Sequence, residues 1–181
     1  MGLVAATLWV GVVWTLLAAG LGSAFAFTLV TGALLATRRS RARPASPAAL
    51  VGWALAGACS YPVWVWNVGW SGSVLGLAPR GAAAWPGGLD AGALLSVGPA
   101  FEELLYRERL LPAVQQHAGT AAAVIVSSAA FALPHVEPWT VLAASWVGPA
   151  LGILYVSTRN VWACTAAHAG LNAAALWVAH A

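Results

Sequence analysis

Three short stretches of this 181-residue sequence place ionisable or amide side chains in almost wholly apolar surroundings. They contain six residues of interest: Glu102, Glu103, Arg107, His135, His168 and Asn172. An ionisable group at the centre of a bilayer costs about 2.5–3.5 kcal/mol even on the gentler insertion scale, so such groups are candidates for a reaction site. A carboxylate can activate a water molecule as a general base, and imidazole or amide N–H groups can stabilise an oxyanion.

The spacing of these residues predicts which of them share a helix face. Glu103 and Arg107 are four residues apart, so they can pair on one face, whereas Glu102 is rotated by about 100° and can point towards other segments. His168 and Asn172 are also four residues apart, and so are Phe131 and His135. We therefore expect a carboxylate, two imidazoles and an amide to converge inside a helical bundle.

The composition predicts the elements that must position these groups. The chain is 61% hydrophobic and only 7% charged, whereas a soluble domain averages about 25% charged residues. We therefore predict an all-α, polytopic transmembrane bundle of one domain with about six membrane helices. The predicted helices cover residues 2–37 (one tilted helix, bent near Gly20 and Gly22), 48–70, 90–114, 120–134, 139–157 and 160–179.

The charged residues outside these helices predict the orientation of the chain. The net charge of +3 comes from eight arginines, and these cluster at segment ends, which favours a topological role and excludes nucleic-acid binding. The basic loop 38–47 and Arg159 are expected to be cytoplasmic, with both termini outside, and 71–88 is predicted to be a loop. Cys59 and Cys164 form no metal or disulfide motif, so both are predicted to be small buried hydrophobic residues.

Each of these residues, taken by itself, could also have a purely structural role. A single Glu–Arg pair near a helix end is commonly a structural ion pair, and a lone histidine is commonly hydrogen-bonded to neighbouring backbone. His117 and His180, at segment ends, fit that interpretation. Three separate segments that supply complementary groups favour the functional interpretation.

The motifs that these residues form resemble those of a known family. EELLYR (102–107), FALPH (131–135) and HAGLN (168–172) match EExxxR, FxxxH and HxxxN in this order. The chain is similar over 95–178 to the CPBP family, which comprises type II CAAX prenyl endopeptidases and their bacterial relatives, also called Abi proteins. The resemblance implies a catalytic core over about 90–178 behind N-terminal membrane helices in 1–89.

The resemblance also implies the reaction, an intramembrane peptide-bond hydrolysis by glutamate-activated water. Glu102 would be the general base for a water that it holds with His135, while His168 and Asn172 would donate hydrogen bonds to the oxyanion. In the same scheme the site is oriented by Glu103 and Arg107, with Phe131 packed beneath it.

Several alternatives remain open at the level of the sequence. A zinc-dependent version would use Glu102, His135 and His168 as ligands, although no HExxH motif is present and we favour a site without metal or other cofactor. A non-enzymatic bacteriocin-immunity or helper protein, or an ion-coupled transporter, would also carry polar residues in the membrane. We expect a multi-pass protein of a bacterial inner membrane, whose partners are the bilayer and a membrane-associated protein or peptide substrate. The oligomeric state is left open.

Overall fold

The computed structural model describes residues 12, 23–37, 45–77, 91–135 and 137–180, and within these ranges all regular structure is helical. The helices are α1 (Ser23–Ala36), α2 (Pro47–Val74), α3 (91–118), α4 (120–132), α5 (Pro138–Thr158) and α6 (Val161–His180). The prediction of an all-α chain is confirmed for this part. The predictions made for 2–22, for the basic loop at 38–44 and for the loop at 78–88 lie outside the described residues.

Gly119 separates α3 from α4 inside the helical stretch Leu111–Ala132. Its φ of 79° and ψ of 173° are not helical, and a positive φ is a conformation that glycine adopts without the cost a side chain would bring. The predicted start of the fourth segment at this glycine is confirmed. The third segment was predicted to end at Val114, but the helix continues to 118 because nothing before Gly119 interrupts it.

Two wide helical turns lie within α3, at Ala93–Val97 and at Glu103–Leu110, with the α-helical stretch Gly98–Glu102 between them. Their closing hydrogen bonds reach five residues back, from the N–H of Gly98 to Ala93 and from that of Leu111 to Tyr106. Each wide turn ends two residues before a proline. A proline ring clashes with the carbonyl four residues earlier in an α-helix, and a widened turn relieves that clash.

Three helices begin at side-chain caps that the sequence supplies. Ser46, Glu137 and Asn160 each accept hydrogen bonds from backbone N–H groups two or three residues further on. Pro47 and Pro138 follow the first two caps, at a position where the missing N–H of proline is not needed. These caps set the starts of α2, α5 and α6.

α2 is longer than predicted, because it continues through Ser71 and Gly72 to Val74, where a loop was expected. The indole Nε1 of Trp146 donates to Ser71 Oγ at 3.1 Å. The ring of Trp139 lies so close to Gly72 that an added Cβ would be 2.3 Å from it. Packing against these two rings of α5 overrides the low helix propensity of glycine and serine.

The most extensive contact between described helices joins α2 to α6, and it depends on two glycines. A Cβ on Gly57 would lie 1.9 Å from the carbonyl oxygen of Ala167, and one on Gly170 would lie 1.9 Å from that of Ala54. The two backbones are therefore in direct contact, as is common where small residues line helix interfaces in membranes. This contact sets the position of α6, the helix that carries His168.

Two of the described helices, α2 and α5, are long and apolar enough to cross a membrane by length and composition. The total of six membrane-spanning helices stays a prediction. Cys164 is buried as predicted, but the prediction was wrong for Cys59, which is exposed because its face of α2 is turned away from the other described helices.

Two arginines link helix ends at one end of the bundle. Arg109 of α3 donates through Nη2 to the carbonyl of Leu34 at 2.7 Å and to Thr37 Oγ1 at 2.9 Å, at the C-terminal end of α1. Arg159, in the turn between α5 and α6, donates to Gln115 Oε1 at 3.2 Å. The C-terminal ends of α1, α3 and α5 thus lie together, and the positive-inside rule predicts that this end is cytoplasmic.

We expect reporter fusions after Arg43 and after Arg159 both to report the cytoplasm, and a fusion at Arg80 to report the outside. The reason is that the arginine-rich segment 38–43 directly follows α1, whose end lies near that of α5. Paired cytoplasmic and periplasmic reporters would measure this. Opposite locations for Arg43 and Arg159 would contradict both the helix count and the orientation.

Candidate active site

A completely buried ion pair lies at the centre of the bundle. Arg107 Nε is 3.2 Å from Glu103 Oε2, and both side chains have an exposed fraction of 0%. Arg107 also donates from Nη1 to Ser127 Oγ of α4 at 3.2 Å, and its guanidinium carbon lies 5.2 Å from the centre of the Phe131 ring. The predicted pairing of Glu103 with Arg107 is therefore present, and it also connects α3 to α4.

The second oxygen of Glu103 contacts a third helix. Glu103 Oε1 is 3.1 Å from Nδ1 of His168, a side chain of α6 that is itself buried. A carboxylate can only accept here, so the Nδ1–H of His168 donates to it. Glu103 thus joins α3 to α6 and determines the ring orientation of His168, a role that the sequence did not indicate.

Glu102 faces two imidazoles that come from different parts of the chain. Its Oε2 is 3.7 Å from His168 Nε2, and its Oε1 is 4.0 Å from His135 Nε2. The Glu102 side chain is 19% exposed and that of His135 is 25% exposed, so this part of the cluster is accessible from outside the bundle. Glu102 and Glu103 diverge as predicted, but both carboxylates contact the same imidazole, one at each ring nitrogen.

His135 lies beyond the end of α4 rather than on it, which corrects the prediction that it shares a helix face with Phe131. The helix ends at Ala132, because Pro134 cannot continue it. The backbone N–H of His135 donates to the carbonyl of Ala132 at 3.1 Å. Its ring Nδ1 donates to the carbonyl of Phe131 at 3.0 Å. These two bonds position the imidazole although the helix has ended.

The hydrogen bonds at Nδ1 define what each imidazole offers to Glu102. In the neutral form, both His135 and His168 carry their proton on Nδ1, so each Nε2 has a free lone pair. Glu102 as a carboxylate also has only acceptor oxygens. The Glu102 carboxylate and the two Nε2 atoms are thus all acceptors, and the carboxylate lies 3.7 Å from one Nε2 and 4.0 Å from the other. A water molecule or an added proton between them supplies the donor that they need.

Phe131 lies beneath this cluster, as predicted. Its ring makes edge-to-face contacts with the rings of three neighbours at centroid distances of 5.4–5.7 Å: Tyr106, His135 and His168. Phe131 is almost fully buried. One aromatic side chain therefore supports both imidazoles and the guanidinium from a single side.

Asn172 is directed differently from the other predicted residues. It lies one helical turn beyond His168 on α6, and its Nδ2 donates to the backbone carbonyl of Leu94 at 2.9 Å. Leu94 belongs to the first wide turn of α3. The structure thus brings six of the seven predicted residues into direct contact, and it places the amide of Asn172 at the edge of the cluster.

Sequence reasoning missed two residues that support the cluster. Ser127 accepts a hydrogen bond from Arg107, and Tyr106 packs edge-to-face on Phe131. The signal for Ser127 was present in the sequence, because it precedes Phe131 by four residues and so lies on the same face of α4. No comparable signal distinguished Tyr106 from the other aromatic residues.

Comparison with known protein families identifies this part of the chain. Residues 85–174, about half of the chain, match the model of the family described as type II CAAX prenyl endopeptidase Rce1-like. The chain carries an Rce1-like domain. No curated protein and no solved structure gave a match. All seven candidate site residues lie within the Rce1-like domain, whose family consists of membrane-embedded proteases.

The donor groups of the Rce1-like domain bear on whether it could hold a metal ion. Among the residues that the structure describes, no group of three or more His, Cys, Asp or Glu side chains is arranged to hold one. The two imidazole nitrogens that face Glu102 come from different helical segments.

Arg107→Met should lower the free energy of unfolding by about 3–5 kcal/mol, because it leaves the Glu103 carboxylate buried without its cation. Arg159→Met is the matched control and should change it by no more than about 0.5 kcal/mol, since this arginine is exposed. Chemical or thermal unfolding in detergent measures both.

The double variant Glu103→Gln Arg107→Met should be more stable than Arg107→Met alone, because no unpaired charge is then buried. Equal small losses in Arg107→Met and Arg159→Met would show that the buried pair contributes little to the fold.

Proposed function

We propose that this protein is an intramembrane endopeptidase that hydrolyses a peptide bond with a water molecule activated by Glu102. The observation that supports the proposal most strongly is the position of this carboxylate between two imidazoles, with oxygens 3.7 and 4.0 Å from their Nε2 atoms. The cluster is partly accessible, whereas the ion pair behind it is fully buried. A general base needs this combination of access for water and a rigid support.

In the proposed reaction a water molecule is held by Glu102 and His135 Nε2. Glu102 takes one proton from the water as the water oxygen attacks the carbonyl carbon of the substrate. The C=O π electrons move to the carbonyl oxygen and form the oxyanion of a tetrahedral intermediate. The C–N bond then breaks, and the proton held by Glu102 passes to the leaving amine, which restores the carboxylate.

Stabilisation of the oxyanion would come from α6. The Nδ1–H of His168 is already donated to Glu103, so His168 can stabilise an oxyanion only through a second proton, carried on Nε2. In that doubly protonated state the ring lies between two carboxylates, which favours it electrostatically. Asn172 uses one of its two amide N–H groups for Leu94 and keeps the other for a substrate oxygen.

The proposed substrate is a membrane-associated protein or peptide. Glu102 precedes Arg109 by seven residues and Gln115 by thirteen, so it lies about 10–20 Å along α3 from the residues at the end of the bundle that we predict to be cytoplasmic. A peptide bond must reach that depth, which favours a substrate segment held at or in the membrane over a freely soluble one. Proteomics of a deletion strain would identify the substrate and its cleavage site.

Glu102→Gln should reduce proteolysis by at least about 10²-fold while the thermal unfolding transition stays unchanged, because the amide keeps the shape and removes the base. Uncleaved membrane-anchored precursors that accumulate in a deletion strain, complemented with each variant, measure the activity. Glu108→Gln makes the same change six residues later on α3 and should complement fully. Normal processing by Glu102→Gln would instead support the non-enzymatic helper function.

We also expect the purified protein to keep its activity after dialysis against a strong chelator, because the proposed reaction uses only protein groups. Elemental analysis should give zinc well below one equivalent per chain. Loss of activity on chelation that is reversed by added zinc would favour Glu102, His135 and His168 as ligands, and would replace the water-activation scheme above.

A further inference from the structure

The hydrogen bond from Asn172 to Leu94 joins α6 to the first wide turn of α3. The two residues are 78 positions apart in sequence, and the amide nitrogen lies 2.9 Å from the carbonyl oxygen. A carbonyl inside a helix is normally satisfied by a backbone N–H of its own helix, so a side chain from another helix at this place requires an explanation.

The explanation lies in the backbone around Leu94. The N–H of Gly98, which an α-helix would direct to Leu94, is donated to Ala93 instead. The nitrogen one residue further, which a wide turn would direct to Leu94, belongs to Pro99 and carries no hydrogen. The helix therefore leaves the Leu94 carbonyl without the two backbone donors that could reach it, and Asn172 fills this gap.

We propose that Pro99 is a positioning residue: it withholds a backbone donor from the Leu94 carbonyl, so that Asn172 binds there and holds the turn before Glu102 in register with α6. Pro99 is the second residue of the stretch Gly98–Glu102, and Asn172 lies one turn from His168 on α6. Pro99 is therefore close in sequence to Glu102, and Asn172 is close to His168, on the two helices that meet at the Glu102–His168 contact. For its effect on catalysis the inference rests on the proposed function.

The bond also constrains the amide itself. With one N–H donated to Leu94, the orientation of the Asn172 side chain is set, and its second N–H has a defined direction. A side chain that is held before substrate binds contributes more to stabilising a transition state than one that must be ordered during the reaction. Pro99, which never contacts substrate in this scheme, would thereby influence the rate.

A double-mutant cycle tests the coupling by thermal unfolding in detergent, without any use of activity. Asn172→Ala should lower the Tm by about 2–4 °C, because it removes one hydrogen bond between α6 and α3. In the Pro99→Ala background, where residue 99 supplies an N–H, the same change should lower the Tm by less than half as much. Equal shifts in the two backgrounds would overturn the proposed coupling.

Two controls accompany the cycle. Pro149→Ala removes a proline inside α5, and in that background Asn172→Ala should have its full effect. Asn67→Ala removes an amide that donates to the Val63 carbonyl of its own helix, so its effect should be the same with and without Pro99.

Activity separates positioning from mere stability. Pro99→Ala removes a buried ring and should lower the Tm, but well below that Tm it should still slow precursor processing roughly tenfold, because Asn172 is released from its acceptor. The double variant Pro99→Ala Asn172→Ala should be stable and still inactive. Unchanged processing by Pro99→Ala would overturn the positioning role, whereas a chain that proves not to be a protease would leave the thermal coupling intact and refute only the proposed function.

Discussion

The buried contact between Arg107 and Glu103 is the interaction on which the rest of this structure depends. Two charges with no exposed surface are costly to bury unless other polar groups support the pair. Those groups come from α4, through Ser127 and Phe131, and from α6, through His168. A displacement of α4 would remove the hydrogen bond that Ser127 accepts from Arg107, and a displacement of α6 would remove the one that His168 donates to Glu103. The requirement to satisfy this pair therefore aligns the helices that carry the candidate active site.

The distorted geometry of α3 allows one helix to serve the pair and the reactive carboxylate at once. Glu102 is the last residue of a regular α-helical stretch, and Glu103 is the first residue of a wide turn. The prolines that follow the wide turns explain why the distortion occurs at these positions. Adjacent glutamates can thus contact opposite nitrogens of one imidazole, with only one of the two carboxylates accessible.

Much of this arrangement could be predicted from local sequence patterns. The four-residue spacing of Glu103 and Arg107 predicted their pairing, and Gly119 predicted the break between α3 and α4. The contact of Glu103 with His168 could not be predicted, because it depends on how closely α6 approaches. The position of α6 depends in turn on its close packing against α2 at Gly57 and Gly170. The extension of α2 was missed for a similar reason, since two tryptophans of another helix stabilise residues with low helix propensity.

The region that matches the family model packs against helices that lie outside it. The segment recognisable as an Rce1-like domain begins at residue 85, after α1 and α2 have ended. Yet the backbone of α6 at Ala167 and Gly170 packs directly against α2, and Arg109 donates a hydrogen bond to the carbonyl of Leu34 on α1. A fragment that starts at residue 85 would leave uncovered the face of α6 that packs against α2. The stretch that matches the family and the stretch whose helices cover one another are therefore not the same.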